Sequence, residues 1–260
     1  MTRIENLADF METVAPPRLA EDWDNVGLLV GDPKLPAQRV MTCLTVTPDT
    51  AAEAIEQRAQ LIVTHHPLPF RPFKQLTTDN VAGKLLWDLI GAGISIYSPH
   101  TSFDSARQGI NQSLAERLKL TNIRPLIPIL DEPESLGAGR IGEASDLSFD
   151  GFARRVKSTF GLPHLQLVEG SSVSQVAIAC GSGGSFLESA HRAGCDTFVT
   201  GETSFHTCLD AQAKGMGLIL VGHYSSERFA VEQLAERLSA QFPDIQVWAS
   251  SQERDPLNWA

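Results

Sequence analysis

The chain has 260 residues, of which 42% are hydrophobic and 20% charged, and its formal net charge at pH 7 is −10. This length is enough for one large domain or two small ones with filled cores. The excess of acids argues against a nucleic acid or an anionic membrane as the main partner, because both repel a negative surface. No apolar run approaches the roughly 20 residues that a membrane helix needs.

The cysteines and the N-terminal segment indicate a cytoplasmic protein. Cys43, Cys180, Cys195 and Cys208 show no C-x-x-C spacing, which is typical of buried or idle reduced thiols. The first 17 residues carry acids and have no apolar segment, so they do not resemble a signal peptide.

Hydrophobic periodicity and turn residues predict helices that alternate with strands along the chain. In the first half, helices are predicted at 4–14, 48–60 and 81–93, and strands at 26–31, 39–47, 61–66 and 94–100. In the second half, helices are predicted at 148–161, 185–194, 206–215 and 225–242, and strands at 164–170, 175–180, 195–202, 218–223 and 245–250. This alternation predicts an α/β fold with mixed sheets flanked by helices.

The two halves repeat one another in sequence. An offset of 136 residues aligns the early elements, and an offset of 123 applies after a Pro-rich segment at 67–80 that has no counterpart. The aligned pairs are Val40/Val176, Val63/Val199, Thr64/Thr200, His66/Glu202, His100/His223 and Asp104/Glu227. We therefore predict two pseudo-symmetric α/β domains, 1–125 completed by 226–260 and 126–225, with a metal site between them.

Two histidines follow a short apolar strand that begins at Leu61. Ligands of α/β sheets bind beyond the carboxyl ends of the strands, which is where His65 and His66 lie. Successive strand side chains point to opposite faces, so these two imidazoles can share one ion only if the chain bends. One ion for each histidine is the simpler expectation, and a pair of ordinary hydrogen-bonded histidines is the alternative.

A histidine and an acid, four residues apart, follow each of two matching strands. They are His100 with Asp104, and His223 with Glu227, and the spacing fits one turn of helix. Imidazole and carboxylate are the usual ligands of Zn, Mn, Fe, Co and Ni, and a carboxylate can bridge two ions. We predict a centre of two divalent metal ions. Its predicted ligands are His65, His66, Asp104, His223 and Glu227.

Other polar residues are weaker candidates for the same centre. His100 is a candidate catalytic residue that could bind metal, orient another ligand or carry a proton. Glu202 could act as a general base, or be a solvated acid or a helix-cap partner. His206 could face the same cleft or the solvent. His164 and His191 are expected to be ordinary surface or core residues.

Two further motifs are open to a structural or a functional interpretation. The first motif is Trp23-Asp24-Asn25. A turn that packs the aromatic ring is the favoured interpretation, and a role in substrate binding is the alternative. The glycine-rich segment 181–184 lies between a strand and a helix, where it could cradle a phosphate. No Lys-Ser/Thr follows it as in a P-loop, so a plain tight turn is the favoured interpretation.

At these residues the sequence resembles the NGG-interacting factor three-like family, also described as type 2 GTP cyclohydrolase I homologues or dinuclear-metal-centre hexameric proteins. The resemblance covers nearly the whole chain and is carried by five segments. They are EDWDNVGLLVGD (21–32), VTHHP (63–67), HTSFDSARQGIN (100–111), CGSGGSFLESAHRAGCDTFVTGE (180–202) and GHYSSER (222–228).

The resemblance implies two α/β domains and a toroidal homo-hexamer with metal sites facing its interior. The family's metal ligands fall on the five residues predicted above, and His100 matches a further histidine of the family pattern. Two departures are mild. Ser105 and Ala106 stand where relatives often have a second histidine or a small residue, and Glu202 stands where Asp is frequent. The long insertion that some relatives carry between the halves is missing here.

The resemblance and the ligand set predict a metal-dependent hydrolase, similar to type 2 GTP cyclohydrolase I, that acts on a nucleotide or a related substrate. Bound metal ions could neutralise the phosphates of a nucleotide in this acidic protein. The alternative is a metal-binding or regulatory hexamer without enzymatic activity, and the motifs fit both.

Overall fold

A computed structural model of the protein describes residues 1–129 and 136–258. The chain forms two compact units. Unit 1 comprises Met1–Phe103 and Arg228–Pro256, and unit 2 consists mainly of Asp104–Glu227. The sequence analysis places the domain boundaries at 125/126 and 225/226. The contacts assign residues 104–125 to unit 2, because the helix at Ile110–Arg117 packs on two strands of that unit's sheet.

The described residues form helices and strands in the following order. The helices are α1 (Ile4–Val14), α2 (Pro48–Glu56), α3 (Val81–Gly91), α4 (His100–Ser105), α5 (Ile110–Arg117), α6 (Phe149–Phe160), α7 (Leu187–Arg192), α8 (Phe205–Ala213) and α9 (His223–Gln241). The strands are β1 (Gly27–Val30), β2 (Arg39–Cys43), β3 (Leu61–Thr64), β4 (Ser95–Ser98), β5 (Thr121–Arg124), β6 (Ile127–Pro128), β7 (Gly137–Ala138), β8 (Arg140–Leu147), β9 (Gln166–Val168), β10 (Val173–Ala179), β11 (Thr197–Thr200), β12 (Gly217–Leu220) and β13 (Gln246–Ala249). Within the described ranges, no helix is both long and apolar enough to cross a bilayer.

The sheet of unit 1 has the order β1-β4-β3-β2-β13 and is covered by helices on both faces. Strands β13, β2, β3 and β4 are parallel, and β1 is antiparallel at the edge. Met41 and Ile62 pack with α2 and α3, whereas the alternate residues Val40, Leu61 and Val63 pack with α1 and α9. Burial of both faces explains why these strands read as continuous apolar runs.

The sheet of unit 2 has the order β5-β8-β10-β11-β12-β9. Its parallel strands β10, β11 and β12 correspond to β2, β3 and β4, and the antiparallel β9 beside β12 corresponds to β1 beside β4. The units differ in the strand on the other side of the three parallel strands. In unit 2, β8 is antiparallel to β10, whereas in unit 1, β13 is parallel to β2. The predicted mixed α/β fold is therefore confirmed.

A buried arginine holds the segment that enters the sheet of unit 2. The side chain of Arg140 at the start of β8 is fully buried, and its guanidinium donates to the carbonyls of Gly137 (2.8 Å), Gly139 (2.7 Å) and Ala106 (2.7 Å). It also donates to the side-chain oxygen of Gln112 at 2.9 Å. Burial lowers the pKa of Arg140 to about 10, so the side chain keeps its charge at neutral pH.

We predict that Arg140→Lys lowers the free energy of unfolding by about 2–4 kcal/mol, because an ammonium group cannot supply a planar fork of donors to several carbonyls. Urea unfolding measures this change. The matched control is Arg124→Lys, an exposed position on the neighbouring strand β5. Equal effects at the two positions would contradict the role assigned to Arg140.

Candidate metal centre

The two adjacent histidines lie just beyond β3. Strand conformation ends at Thr64, and the chain bends at His65 and His66. The hydroxyl of Ser98 donates to the carbonyl of His65 (2.7 Å), and that of Thr64 donates to the carbonyl of His66 (3.1 Å). The imidazole centroids lie 5.0 Å apart. The bend that the sequence analysis requires for a shared ion is therefore present.

His100 joins these two histidines within unit 1. Its ring centroid lies 5.2 Å from that of His65 and 5.7 Å from that of His66. Each residue offers one nitrogen, and the three nitrogens lie within 4.8 Å of one another. His65 and His100 are buried and His66 is half-buried. Clustered imidazole nitrogens with little solvent access fit a transition-metal ion.

A buried carboxylate fixes the orientation of His100. Nδ1 of His100 hydrogen bonds to Oδ1 of Asp24 at 2.7 Å, which leaves Nε2 on the opposite edge of the ring. The other carboxylate oxygen accepts from the amide (3.1 Å) and the hydroxyl (2.5 Å) of Thr101 at the start of α4. Burial alone would raise the pKa of Asp24, but the bonds from His100 and Thr101 outweigh it and lower the pKa to about 2. The sequence analysis read Asp24 as part of a turn and missed this role.

A series of hydrogen bonds that ends near the C-terminus holds His66. Its Nδ1 hydrogen bonds to the hydroxyl of Thr45 at 2.7 Å. The amides of Leu44 and Thr45 donate to the carboxylate of Glu253 at 2.9 and 2.7 Å. Arg228 in turn lies 3.1 Å from that carboxylate. The position of His66 thus depends on residues that are remote in sequence, which no local motif reveals.

In unit 2, the first residue of α9 lies between two carboxylates. Nδ1 of His223 is 3.0 Å from Oε1 of Glu202, and Nε2 is 3.1 Å from Oε2 of the buried Glu227. The hydrogen bond that His223 donates to Glu227 is the largest of the causes that raise the pKa of His223 to about 9. Ionised carboxylates only accept hydrogen bonds, so this arrangement keeps a proton on both ring nitrogens. A cation bound at Nε2 would have to replace one of these protons.

The carboxylate of Asp104 is contacted by a buried thiol of unit 2. Sγ of Cys180 donates to Oδ1 of Asp104 at 3.2 Å. The side chain of Asn111 links the same two residues, because it accepts from the amide of Cys180 and donates to the carbonyl of Asp104. Burial raises the pKa of the thiol, and the charges of Asp104 and Glu227 raise it further, so Cys180 stays a donor. The sequence analysis expected a buried or idle thiol here; the thiol is buried, but its contact with Asp104 was not foreseen.

The glycine-rich segment shapes the approach to His223 and Glu227. Gly181 has φ +58°, and a Cβ built there would collide with the carboxylate of Glu227 and lie 3.3 Å from Nε2 of His223. The amides of Gly181 and Gly183 both donate to side-chain hydroxyls. These bonds support the interpretation as a tight turn and give no support to a phosphate cradle.

The remaining candidates lie apart from these clusters. His206 is exposed at the start of α8, with its ring 5.9 Å from that of Phe205. His164 and His191 are also exposed. Among the described residues, none of these three belongs to a group of side chains that could hold a metal ion. Glu202 contacts His223, as described above, which fits an orienting role as well as that of a base.

Comparison with known proteins gives a consistent picture over the whole chain. The sequence model of the Duf34/NIF3 (NGG1p interacting factor 3) family matches residues 2–256. A Clostridium perfringens protein named GTP cyclohydrolase 1 type 2 homolog is 31% identical over 263 residues, which is 99% of each chain. A Schizosaccharomyces pombe protein named Protein NIF3 homolog is 34% identical over 269 residues, covering 96% of each chain. The crystal structure of the Staphylococcus aureus protein SA1388 is similar with a TM-score of 0.88 and 28% identity, over 100% of this chain and 99% of that one.

We predict that Asp24→Asn lowers the free energy of unfolding by about 1–3 kcal/mol, because one carboxylate oxygen becomes an NH2 group that cannot accept the bonds from His100 or Thr101. Chemical denaturation measures the change. Asp22→Asn, at an exposed position two residues earlier, is the control and should stay within about 0.5 kcal/mol of wild type. Asp24→Asn behaving like Asp22→Asn would refute the role of Asp24.

Proposed function

Because the chain belongs to the Duf34/NIF3 family, we propose that it binds two divalent metal ions through His65, His66, Asp104, His223 and Glu227. The observation that carries the proposal is the imidazole group of unit 1, in which two of these residues and His100 present nitrogens within 4.8 Å of one another. The carboxylates of unit 2 add negative charge, which two divalent cations require for tight binding.

The ligand chemistry fits Zn, Mn, Fe, Co or Ni rather than a structural thiolate site. The donors are imidazole nitrogens and carboxylate oxygens, and the nearby thiol of Cys180 stays protonated because it is buried beside Asp104. The nitrogen of His66 that faces away from Thr45 is the one we assign to metal binding. A metal ion that binds at His223 replaces a proton of the imidazole, so metal binding releases a proton to the solution.

We propose that the bound centre acts as a metal-dependent hydrolase, similar to type 2 GTP cyclohydrolase I, on a nucleotide or a related substrate. Divalent ions held by these residues would activate water for attack and polarise the bond that breaks. His100 can accept or return a proton at Nε2, because Asp24 stabilises the imidazolium through Nδ1. Glu202 would orient His223 in the same way. The names of relatives such as the Clostridium perfringens protein support the substrate class.

The family resemblance also supports a homo-hexamer in the cytoplasm as the working form. Light scattering of the purified protein tests the assembly directly. A hexamer that binds metal but hydrolyses nothing would correspond to the second candidate, a metal-holding or regulatory assembly.

We predict that Asp104→Asn and Glu227→Gln each reduce the metal content from about two ions to about one or fewer per chain, because a neutral amide is a much weaker ligand than a carboxylate. Elemental analysis after dialysis measures the content. The control is Glu232→Gln on the same helix as Glu227, whose side chain is 61% exposed. Equal losses from the control and from the two ligand variants would contradict the assignment.

We predict that His65→Ala reduces metal-dependent hydrolysis of GTP, or of another nucleotide in a panel, by at least about a hundredfold, because the imidazole is needed to hold the metal. Product formation is assayed with Zn, Mn or Fe added. His191→Ala at an exposed position of α7 is the control and should keep full activity. Tight metal binding without turnover of any panel member would support the regulatory assembly instead.

A further inference from the structure

Two large aromatic side chains lie next to each other at the surface of unit 1, beside the histidine group. Trp23 is 61% exposed and Phe70 is 50% exposed, and their ring centroids are 6.0 Å apart. Each ring also meets His100 near edge-on, at centroid distances of 5.9 and 6.1 Å. Single exposed apolar residues are common, but an adjoining pair of aromatic rings against buried polar groups is typical of a binding surface.

Hydrogen bonds hold the chain next to both rings, and the rings themselves stay exposed. The side-chain amide of Asn25 donates to the carbonyl of Pro69 at 2.8 Å, which ties the residue before Phe70 to the turn that contains Trp23. The residue between Trp23 and Asn25, Asp24, is fixed by His100 and Thr101. A surface fixed before binding loses less conformational entropy when a ligand arrives.

We propose that Trp23 and Phe70 form a stacking surface that binds the planar fused ring of a purine-type ligand next to His100. The proposal rests on the metal centre proposed above and specifies what binds beside it. The two ring planes are inclined by 43°, so a planar ligand that stacks on one ring meets the other ring at its edge, and spanning the 6.0 Å between the centroids suits a bicyclic ring better than a monocyclic one. Stacking on aromatic side chains tolerates different bases, because every base offers a π-face.

The experiment measures equilibrium binding to the metal-loaded protein by calorimetry, with guanosine, adenosine and inorganic tripolyphosphate as probes. We expect Trp23→Ala and Phe70→Ala each to lower the affinity for both nucleosides by about tenfold or more and to leave the affinity for tripolyphosphate unchanged. The matched control is Trp87→Ala, an indole that is 60% exposed on α3. It should leave all three affinities unchanged. Trp23→Phe keeps an aromatic face and should recover most of the nucleoside affinity.

Two results overturn the proposal: wild-type nucleoside affinity in both alanine variants, or a wild-type protein that binds neither nucleoside. A changed particle mass of Trp23→Ala in light scattering, with nucleoside affinity intact, would assign the rings to a contact between copies of the chain and also overturn it. Nucleoside binding requires no turnover. A protein that loses affinity as predicted but hydrolyses nothing therefore refutes the hydrolase proposal alone.

Discussion

Hydrogen bonds at Nδ1 decide what the histidines of this protein can do. An imidazole at the end of a strand can rotate about its χ2 bond, and either nitrogen can carry its proton. The carboxylate of Asp24 accepts from Nδ1 of His100, which sets both the orientation and the tautomer of the ring. Glu202 contacts Nδ1 of His223 in the same manner, and Thr45 contacts Nδ1 of His66. The proposed metal binding and proton transfer are assigned to the Nε2 edge of these rings, opposite the Nδ1 contacts, and at His223 that edge also contacts Glu227.

The duplicated halves reach this arrangement from different parts of the chain. In unit 1 the carboxylate precedes β1, whereas in unit 2 Glu202 follows β11 at the position that aligns with His66. One half therefore carries an imidazole where the other carries an acid. The described cluster of unit 1 is rich in imidazole nitrogens, and that of unit 2 is rich in carboxylates. The raised pKa of His223 is a direct consequence, because two acids share one imidazole there.

Sequence periodicity predicted the parts of the fold and site that depend on local order. The short apolar runs predicted strands in the right places but placed their ends two to three residues too late, at 66, 100, 202 and 223 instead of 64, 98, 200 and 220. A spacing of four predicted the first turns of α4 and α9. The contacts of Asp24 with His100 and of Cys180 with Asp104 each span 76 residues, so only tertiary packing creates them. The sequence analysis also predicted no helix or strand within 106–147, where α5 and β5 to β8 lie. Strand β5 is largely exposed, and β8 begins with a buried charge, Arg140, which a hydrophobic pattern cannot reveal.

The asymmetry between the halves also bears on the proposed metal binding and the proposed ligand recognition in different ways. The alignment offset falls from 136 to 123 across the Pro-rich segment, so unit 1 contains 13 residues there that unit 2 lacks (136 − 123). That segment carries Phe70 and is tied to the turn of Trp23 through Asn25. Duplication accounts for a histidine and an acid in each half, because both halves keep a strand followed by a helical turn. The stacking rings have no such counterpart in sequence, so a ring-binding surface would be a property that the first half acquired alone.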